Sequence, residues 1–590
     1  MQMPTLLDTL RSYIESSALT KEQREVCYRH GKFVVRACPG SGKTRTVGTR
    51  LAWRMANWTS RRSGIAALSF TNVAWGEVGE ELLRLGMSAR PAWPHFLGTL
   101  DSFVNQFVFL PFGHVVMGCS RRPEIVHDNN RAWVDEHMRV HRLWQCYRKG
   151  CKPVDFQFAA DGSVQYKGPW NQPGPPKCQR DRCRELKAVM VKSGYALHAD
   201  AMYWGMKILE DAAIRRVIAA RFPEIVIDEA QDTSETQTRI VELLADAGSD
   251  VVLVGDPDQS IFEFNGARPS LFLAFEKRWG HLPLSANFRS SQHICNATHR
   301  FSQLSSPSLA AGPDKDHPLR PWVVEYEAGQ EGALLPYLSN ILVQQSLCPQ
   351  GAAVLARRHE LVRQVWGDQQ TDWPKGIGIL SRAFARAGTY RDNGMVREAH
   401  EAIMWALLRL CFNKASYGAR NEAVEHIGVR AWRRCSWRLL QDLPASSTPL
   451  ANWGPTVRQV VERFLADVQW GCQADIARTF AKSNDPNAGR PVSSFVRLAL
   501  PIQGIACKVI HQAKGETYDA VMVVCGAASR KRRGDLEQWL SPNQGEEDER
   551  RTGYVAMTRP RKILVLAVPR GTDVSPLKEH FDLGALAPRK

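Results

Sequence analysis

Two short segments of the 590-residue chain carry side chains suited to holding and cleaving a chain of phosphates. The first, Ala37-Cys-Pro-Gly-Ser-Gly-Lys-Thr44, follows a strand-like run and precedes a helical pattern. Gly40 and Gly42 allow backbone N–H groups to converge on a phosphate, and the N-terminus of the following helix adds a favourable dipole. Lys43 would neutralise the outer phosphates, and the Thr44 hydroxyl could bind Mg²⁺. This pattern predicts a P-loop, with alanine in place of its first glycine.

The second segment, Ile225-Val-Ile-Asp-Glu-Ala-Gln-Asp232, ends a hydrophobic strand in two adjacent carboxylates. At the carboxyl end of a strand, Asp228 could hold the Mg²⁺ shell. Glu229 could take a proton from an attacking water. A solvated acidic loop does not explain why the apolar run ends so abruptly in these carboxylates. The two segments together predict hydrolysis of a nucleoside triphosphate.

Alternating strand-like and helical patterns indicate a parallel α/β fold around these segments. One α/β region contains the two segments, and a second begins near Leu282. The apolar runs are Phe33–Ala37, Ile65–Phe70, Glu224–Ile227 and Asp250–Val254 in the first region, and Ala352–Ala356, Ile505–Cys525 and Lys562–Val568 in the second. The pattern therefore predicts two α/β domains, each interrupted by an insertion.

The two insertions differ from the α/β regions in pattern. The first, at about 110–200, contains DGSVQYKGPWNQPGPPK, which predicts a hairpin followed by a proline-rich loop. The second, at about 375–500, is expected to be helical because apolar residues recur there at helical spacing. These residues are Met395, Val396, Ala399, Ile403, Leu407 and Leu410.

The composition excludes several classes of protein. Hydrophobic residues make up 44% and charged residues 23%, an ordinary globular mixture rather than a disordered or fibrous one. No stretch approaches the roughly 18 apolar residues of a membrane span, and the N-terminus lacks the pattern of a secretory signal. The 14 scattered cysteines suit reduced thiols in a cytoplasm. The net charge of +17 suggests a nucleic-acid partner, although solubility would also explain it.

From these residues outward, the chain resembles the UvrD/Rep/PcrA-like helicases of superfamily 1A, because further motifs follow in the family's order. They are Leu19-Thr-Lys-Glu-Gln23, Ala67-Leu-Ser-Phe-Thr-Asn-Val-Ala74, Gly98-Thr-Leu-Asp-Ser-Phe103, Val254-Gly-Asp-Pro-Asp-Gln-Ser-Ile-Phe-Glu-Phe-Asn-Gly266, Leu284-Ser-Ala-Asn-Phe-Arg289, Ile510-His-Gln-Ala-Lys-Gly-Glu516 and Arg550-Arg-Thr-Gly-Tyr-Val-Ala-Met-Thr-Arg559. The resemblance implies two RecA-like P-loop motor domains, each with an inserted, largely helical subdomain. Residues 1–110 and 200–280 would form domain 1A, 111–199 insertion 1B, 281–374 and 501–590 domain 2A, and 375–500 insertion 2B.

The resemblance also implies a site for ATP and Mg²⁺. Lys43, Asp228 and Glu229 would act together with Gln259, which would contact the γ-phosphate. Arg289 and Arg559 would reach the phosphates from the second motor domain, where an arginine fork suits the charge that develops on phosphate oxygens. Nucleotide contacts would come from Gln23, Gly40, Ser41, Gly42, Lys43, Thr44, Arg45, Phe288 and Glu516, and metal ligands from Thr44 and Asp228.

For nucleic acid, the resemblance implies aromatic faces for bases and polar groups for the phosphate backbone. Stacking contributes about 1–3 kcal/mol per base and tolerates any base sequence, which suits a translocase. The stacking residues would be Phe70, Phe262 and Phe264, and the backbone contacts Thr71, Asn72, Ser102 and His511. A core position is an open alternative for Phe70, and a core edge for the other two aromatic residues.

The implied function is an ATP-dependent 3′–5′ DNA helicase and single-stranded DNA translocase, cytoplasmic, in prokaryotic DNA repair or anti-phage defence. A second hypothesis is a DNA-end-sensing NTPase subunit that controls a partner nuclease of the OLD or TOPRIM type, with little unwinding of its own. Segments such as GTLDSFVNQFVFLPFG resemble the Gabija-type helicase subunit. Cys146, Cys151, Cys178 and Cys183 have a spacing that zinc sites use, but unliganded thiols are the preferred interpretation.

Overall fold

The computed structural model describes residues 5–69, 72–125, 156–166, 187–263, 266–366, 373, 377–412, 428–468, 475–480, 485–496, 504–528, 533–542 and 546–584. The chain forms two compact units. The first consists of Met1–Tyr326, Gly351–Arg358 and Lys508–Lys590, and the second of Glu327–Gln350 and His359–Cys507.

The described strands are numbered in chain order. They are β1 (Phe33–Ala37), β2 (Ile65–Ser69), β3 (Phe96–Thr99), β4 (Glu124–Ile125), β5 (Phe156–Phe158), β6 (Val164–Tyr166), β7 (Tyr195–Ala196), β8 (Glu224–Ile227), β9 (Asp250–Gly255), β10 (His281–Leu284), β11 (Ala286–Asn287), β12 (Leu309–Ala310), β13 (Trp322–Tyr326), β14 (Ala352–Ala356), β15 (Ala506–Val509), β16 (Tyr518–Val524), β17 (Pro560–Pro569) and β18 (Asp582–Gly584).

Two six-stranded sheets form the framework of the first unit. The first has the order β10-β1-β9-β8-β2-β3, and its neighbouring strands are parallel. The second has the order β15-β14-β16-β17-β13-β18, with parallel pairing from β14 to β18. The central strands are almost entirely buried apolar residues, as expected when helices cover both faces of a parallel sheet. Loops that follow the strand ends therefore meet at one edge of each sheet.

Helices of the first unit pack on these sheets. Their bounds are Leu6–Glu15, Lys21–Tyr28, Lys43–Ala56, Asn72–Arg84, Leu100–Phe103, Leu110–Met117, His198–Glu210, Ala212–Arg221, Glu235–Asp246, Pro269–Trp279, Gln292–His299, Leu536–Leu540 and Glu547–Met557, with a π-helix at Val104–Phe109. The N-terminal helices are well capped: Thr5 and Thr20 each form a capping box, which satisfies N–H groups of the first turn. The capping box at Thr20 also fixes Gln23, which is the third residue of its helix.

The second unit is mainly helical. Its helices are Leu334–Gln344, His359–Val365, Ile379–Asp392, Val396–Phe412, Val429–Asp442, Leu450–Val468 and Ile476–Thr479. Trp432 and Trp453 lie in its core with the apolar face of Val396–Phe412, where Ala399, Ile403, Leu407 and Leu410 are buried. The predicted helix is therefore confirmed for these four residues, whereas Met395 precedes the helix and Val396 is exposed.

The α/β fold class with two parallel sheets is confirmed. The apolar runs predicted as strands form strands of these sheets, and β5 pairs antiparallel with β6 as the predicted hairpin. Strand β10 pairs with β1 in the first sheet, although the predicted division assigns residues 281–284 to domain 2A. That four-part division stays a prediction.

The described residues were compared with the requirements of a metal site and of a membrane-spanning helix. The four cysteines considered for zinc lie outside the described residues, and among those that are described no cluster of three or more His, Cys, Asp or Glu residues could hold a metal ion. No helix in the described ranges is both long enough and apolar enough to cross a membrane.

Candidate nucleotide and DNA site

The P-loop connects β1 to the helix Lys43–Ala56 and is shaped by two glycines. Gly40 and Gly42 have φ of +71° and +73°, in the left-handed region that favours glycine. Gly42 immediately precedes the helix, whose first N–H groups are free to meet an anion. Gln23 Nε2 donates a hydrogen bond to the Ser41 carbonyl at 3.0 Å, so the predicted base-reading glutamine lies against the loop.

The predicted carboxylates lie at the same edge of the first sheet. Asp228 follows β8 and accepts a hydrogen bond from the backbone N–H of Glu229 at 2.9 Å. Glu229 has a φ of 53°, an unusual conformation for a residue with a side chain, and its Oε1 lies 3.2 Å from Lys43 Nζ. The structure therefore brings the lysine and both carboxylates together.

The two carboxylates titrate in opposite directions. Burial, and next the charge of Glu229, raises the pKa of Asp228 to about 7. Burial alone would raise the pKa of Glu229 too, but attraction to Lys43 and Lys514 outweighs it and lowers that pKa to about 2. Glu229 is therefore ionised at neutral pH, whereas the charge on Asp228 is disfavoured until a cation approaches.

A chain of buried hydrogen bonds leads from Glu229 to the second sheet. Gln231 Nε2 donates to Glu229 Oε2 at 2.5 Å, and Gln231 Oε1 accepts from the backbone N–H of Asp256 at 3.1 Å. Asp256 Oδ2 accepts from Gln259 Nε2 at 2.6 Å. Gln259 Oε1 accepts from Arg559 Nη2 at 2.8 Å, although the two residues are 300 positions apart. The predicted γ-phosphate sensor thus contacts a predicted arginine directly.

Arg289 and Arg559 lie together beside the P-loop. A Cβ added to Gly40 would lie 2.5 Å from Arg289 Cβ, which shows how closely the loop and this arginine approach. Arg289 Nη1 donates to the carbonyl of Thr558, the residue before Arg559, at 3.1 Å. Arg289 therefore lies against the P-loop and contacts the segment that carries Arg559.

Both arginines carry a charge that their surroundings do not fully compensate. Burial, followed by repulsion from Arg559, lowers the pKa of Arg289 to about 9. Burial also lowers the pKa of Arg559 to about 10, although Glu229 attracts its charge. A phosphate group between them would supply the missing negative charge.

The residues present fit a magnesium ion. Thr44 and Asp228 offer a hydroxyl and a carboxylate oxygen, the ligand type that Mg²⁺ prefers. A divalent cation would relieve the disfavoured charge of the buried Asp228. Ser41 Oγ is also buried without a hydrogen-bond partner in the described part of the chain, so the loop still has a polar group to offer a ligand.

The remaining predicted nucleotide contacts are spread around the loop. Arg45 Nε donates to Tyr13 Oη at 2.8 Å, so the N-terminal helix holds this arginine. The backbone N–H of Phe288 donates to the Gly40 carbonyl at 2.8 Å, which places Phe288 next to the P-loop.

Glu516 lies in a separate cluster. It accepts hydrogen bonds from Lys508 Nζ at 2.7 and 2.9 Å and from the Tyr518 hydroxyl. The backbone N–H of Tyr518 donates to the Arg559 carbonyl at 3.1 Å, so the cluster adjoins Arg559. A contact between Glu516 and a nucleotide sugar stays a prediction.

The predicted DNA contacts are described only in part. Phe70, Thr71 and Phe264 lie outside the described residues, and Asn72 is described only as the first residue of its helix. Ser102 forms a hydrogen bond with the hydroxyl of Thr99 at 2.8 Å, at the carboxyl end of β3.

Phe262 and His511 lie close to each other. Lys514 Nζ is 4.7 Å from the centroid of the Phe262 ring, and the His511 ring centroid is 6.1 Å from it. Lys514 Nζ also pairs with Asp232 Oδ2 at 2.5 Å. Burial, and next the charge of Arg357, lowers the pKa of His511 to about 4, so its imidazole is neutral at pH 7.

Several residues of this site were not predicted. Gln231, Asp256 and Lys514 belong to motifs that the sequence displays, so their place in those motifs was the available signal. Arg551 donates from Nε to the Ser260 carbonyl at 2.7 Å, a contact between residues 291 positions apart that no local pattern indicates.

Comparison with known proteins gives a family match for part of the chain. Residues 19–134 and 178–280 match the UvrD/REP helicase N-terminal domain. This part of the chain is similar to that domain. The matched region contains Gln23, the P-loop, both carboxylates and Gln259, whereas Arg289 and Arg559 lie beyond it.

Proteins that are similar to this chain in sequence carry helicase names. It is 25% identical to DNA helicase II of Haemophilus influenzae over 52% of this chain and 42% of that protein. It is 24% identical to ATP-dependent DNA helicase PcrA of Leuconostoc citreum over 47% of this chain and 38% of that protein. With an ATP-dependent helicase/nuclease of Carboxydothermus hydrogenoformans it is 33% identical over 23% of this chain and 12% of that protein. The chain therefore spans less than half the length of these relatives.

Proposed function

We propose that this chain is an ATP-dependent DNA helicase that translocates 3′ to 5′ along single-stranded DNA. The observation that carries the proposal is the contact between Arg559 Nη2 and Gln259 Oε1 at 2.8 Å. Through it, a cation from the second sheet reaches the hydrogen-bonded chain that ends at Glu229, beside the P-loop. A site assembled from both sheets can convert phosphate cleavage into relative motion of the two sheets.

Nucleotide binding would begin with an exchange of partners at Lys43. In the structure its ammonium group pairs with Glu229. Phosphates in the P-loop would compete for Lys43, and Glu229, freed from that pair, would gain a higher pKa and become a better acceptor for a water proton. Mg²⁺ held by Thr44 and Asp228 would supply further neutralisation of the phosphate oxygens.

Arg289 and Arg559 would complete the closure of the protein around the phosphates. Burial disfavours the charges of both arginines, and protein carboxylates only partly neutralise them. An anionic phosphate chain would therefore bind them strongly. Loss of the γ-phosphate would remove that attraction and let the two arginines withdraw. Gln259 would report the change, because it contacts Arg559 and lies three residues before Phe262.

Single-stranded DNA would follow the aromatic and polar residues near Phe262. Lys514 links this ring to Asp232, which is three residues from Glu229. A base stacked on Phe262 would therefore compete with Lys514 for the ring, and the ion pair at Asp232 would respond. This arrangement supports stimulation of ATP hydrolysis by DNA.

ATP hydrolysis and unwinding test the proposal together. The wild-type chain is expected to hydrolyse ATP faster with single-stranded DNA, and to unwind a duplex with a 3′ tail but not one with a 5′ tail. Lys43→Ala is expected to abolish both activities while single-strand binding survives. Lys32→Ala, which removes the same charge from an exposed lysine, serves as the control. DNA-independent hydrolysis, or turnover by Lys43→Ala, would contradict the proposal.

A second candidate is an NTPase subunit that senses DNA ends and controls a partner nuclease. Its support is the similarity to a relative named as a helicase/nuclease, together with the Gabija-like segments of the sequence. Under this candidate the chain would act in anti-phage defence, in the cytoplasm. DNA-stimulated hydrolysis without fork unwinding, combined with co-purification of a nuclease from the native host, would favour it over the first.

A further inference from the structure

An exposed tryptophan lies at the amino end of the first sheet, away from the nucleotide site. Trp93 precedes β3 and is 69% exposed. The guanidinium of Arg221 lies 4.1 Å from the centroid of the Trp93 ring, so one face of the indole is covered by a cation. Because most of the side chain is nevertheless exposed, the opposite face is open to a planar ligand.

The loop that carries Trp93 is fixed from several directions. Trp93 Nε1 donates to the Arg61 carbonyl at 3.0 Å, and the backbone N–H of Ile65 donates to His95 Nδ1 at 3.1 Å. A Cβ added to Gly64 would lie 2.1 Å from the Pro94 carbonyl oxygen, so the two backbones are in direct contact. The indole is therefore held in place before any ligand binds, which lowers the entropic cost of stacking on it.

Arg221 is held just as firmly. Its guanidinium also lies 4.3 Å from the Phe222 ring centroid and 5.9 Å from that of Phe107. Its backbone carbonyl accepts a hydrogen bond from the N–H of Gly64 at 3.0 Å, which joins the helix Ala212–Arg221 to the turn before β2. The arginine thus supports the covered face of Trp93.

The segments next to Trp93 carry three further arginines. Arg61, Arg62 and Arg90 are exposed, and none of them has an ion-pair partner among the residues that the structure describes. The carboxylate of Glu224 at the start of β8 is buried and is already paired with Arg50 at 2.8 Å. Arg61 contacts Trp93 through its carbonyl, Arg62 follows it, and Arg90 is three residues before Trp93 in the chain. The segments that carry the open aromatic face therefore also carry charges that suit the phosphates beside a stacked base.

The location separates this surface from the nucleotide site. Trp93, Arg61 and Arg221 precede β3, β2 and β8, which run parallel, whereas Asp228 follows the carboxyl end of β8. Seven residues of extended chain from Arg221 to Asp228 span roughly 20 Å. A ligand at Trp93 therefore does not occupy the cleft or the predicted track near Phe262.

We propose that Trp93, Arg61, Arg62 and Arg90 form a second binding surface for single-stranded nucleic acid. One base would stack on the open face of Trp93, and the three arginines would contact the adjacent phosphates. This surface is independent of ATP binding, and the proposal goes beyond the helicase function proposed above. An acidic segment of a protein partner is the competing occupant, and it is tested in parallel.

Photo-crosslinking without nucleotide tests the location. A 20-nucleotide oligothymidylate containing 5-iododeoxyuridine is irradiated with the full-length chain, and crosslinked peptides are identified by mass spectrometry. A crosslink to Trp93 that disappears in Trp93→Ala supports the proposal. A set of crosslinks without Trp93, at saturating oligonucleotide, overturns it.

Binding of a labelled 40-nucleotide oligothymidylate tests the energetics. Trp93→Ala is expected to weaken binding about fivefold, the lower range for loss of one stacked base, and Trp93→Phe to restore it. The triple variant Arg61→Ala, Arg62→Ala, Arg90→Ala is expected to lower the slope of log affinity against log salt by about 2, since each single-strand phosphate contact contributes about 0.7.

Two controls distinguish loss of this surface from a general loss of positive charge and from misfolding. The triple variant Arg278→Ala, Arg320→Ala, Lys578→Ala removes the same charge from exposed or partly exposed positions elsewhere and is expected to keep the wild-type salt slope. ATP hydrolysis should stay at the wild-type level in every variant, which distinguishes failure of this surface from failure of the proposed helicase. Unchanged oligonucleotide affinity, with loss of binding to a labelled polyglutamate peptide, would instead assign the surface to a protein partner.

Discussion

Replacing Arg559 with glutamine separates its functional role from any structural one. Arg559 is buried and donates to the Gln259 side chain at 2.8 Å and to the Val555 carbonyl at 2.8 Å. If it reaches the transferred phosphate, its loss should lower kcat for ATP hydrolysis about a thousandfold or more, the contribution typical of such an arginine. The perturbation keeps a hydrogen-bond donor in the same place but removes the charge.

The structure predicts that the fold tolerates this loss. Burial lowers the pKa of Arg559 from 12.5 to about 10, and each pKa unit corresponds to about 1.4 kcal/mol. Keeping the charge therefore costs the folded chain about 3 kcal/mol. Both folded and unfolded chains are protonated at this arginine below pH 10, so the full cost applies at neutral pH. Removing the charge removes this free-energy cost, and that gain offsets the loss of the hydrogen bonds made by Arg559.

Steady-state hydrolysis with saturating single-stranded DNA and denaturant unfolding provide the two measurements. Arg561→Gln is the matched control, because Arg561 lies two residues away and its side chain is 52% exposed. It should retain kcat within about threefold. The reasoning is refuted if Arg559→Gln keeps more than a tenth of wild-type kcat, or if it unfolds several kcal/mol more easily than the control.

Three further predictions concern the P-loop side of the site. Glu229→Gln should abolish hydrolysis and keep ATP and DNA binding, whereas Glu235→Gln at an exposed position should hydrolyse ATP normally. Equal hydrolysis rates for the two variants would show that Glu229 is not the base. Burial, and next the charge of Asp258, raises the pKa of Asp256 to about 7. Between about pH 4 and 7 the folded chain therefore keeps a proton that the unfolded chain loses. The stability of the wild-type chain falls as the pH rises through this range. The unfolding free energy of Asp256→Asn relative to wild type should therefore rise by up to about 4 kcal/mol between pH 4 and 8, and a constant difference would contradict this. Gly40→Ala and Gly31→Ala share a left-handed strain of about 1–2 kcal/mol. Only the Cβ added at Gly40 would meet another side chain closely, so only Gly40→Ala should lose hydrolysis.

Local patterns were enough to predict the fold class and the P-loop. The apolar runs at Phe33–Ala37 and Glu224–Ile227 form β1 and β8, and the glycines after β1 adopt the left-handed conformations that a phosphate loop needs. These features depend on burial periodicity and backbone sterics within a few residues, and both can be recognised from neighbouring residue types.

Other predictions from the sequence needed an assumption of family. The roles of Arg289 and Gln259 came from resemblance, and the structure shows that Arg559 is brought to Gln259. No local signal indicated that Lys514 would pair with Asp232 across 282 positions, or that Tyr13 would hold Arg45. Such contacts depend on how the two sheets and the N-terminal helix pack.

The amino-acid sequence by itself determined the strands, the left-handed glycines of the P-loop and the carboxylates placed at the end of β8, because each depends on short-range sterics and burial. Only the tertiary structure decided which charges meet. The pKa of Asp228 near 7, that of Glu229 near 2 and the lowered pKa values of the two arginines arise from burial beside partners from distant segments. Electrostatic energies depend on distance and solvent exposure, and these quantities exist only after the sheets have packed.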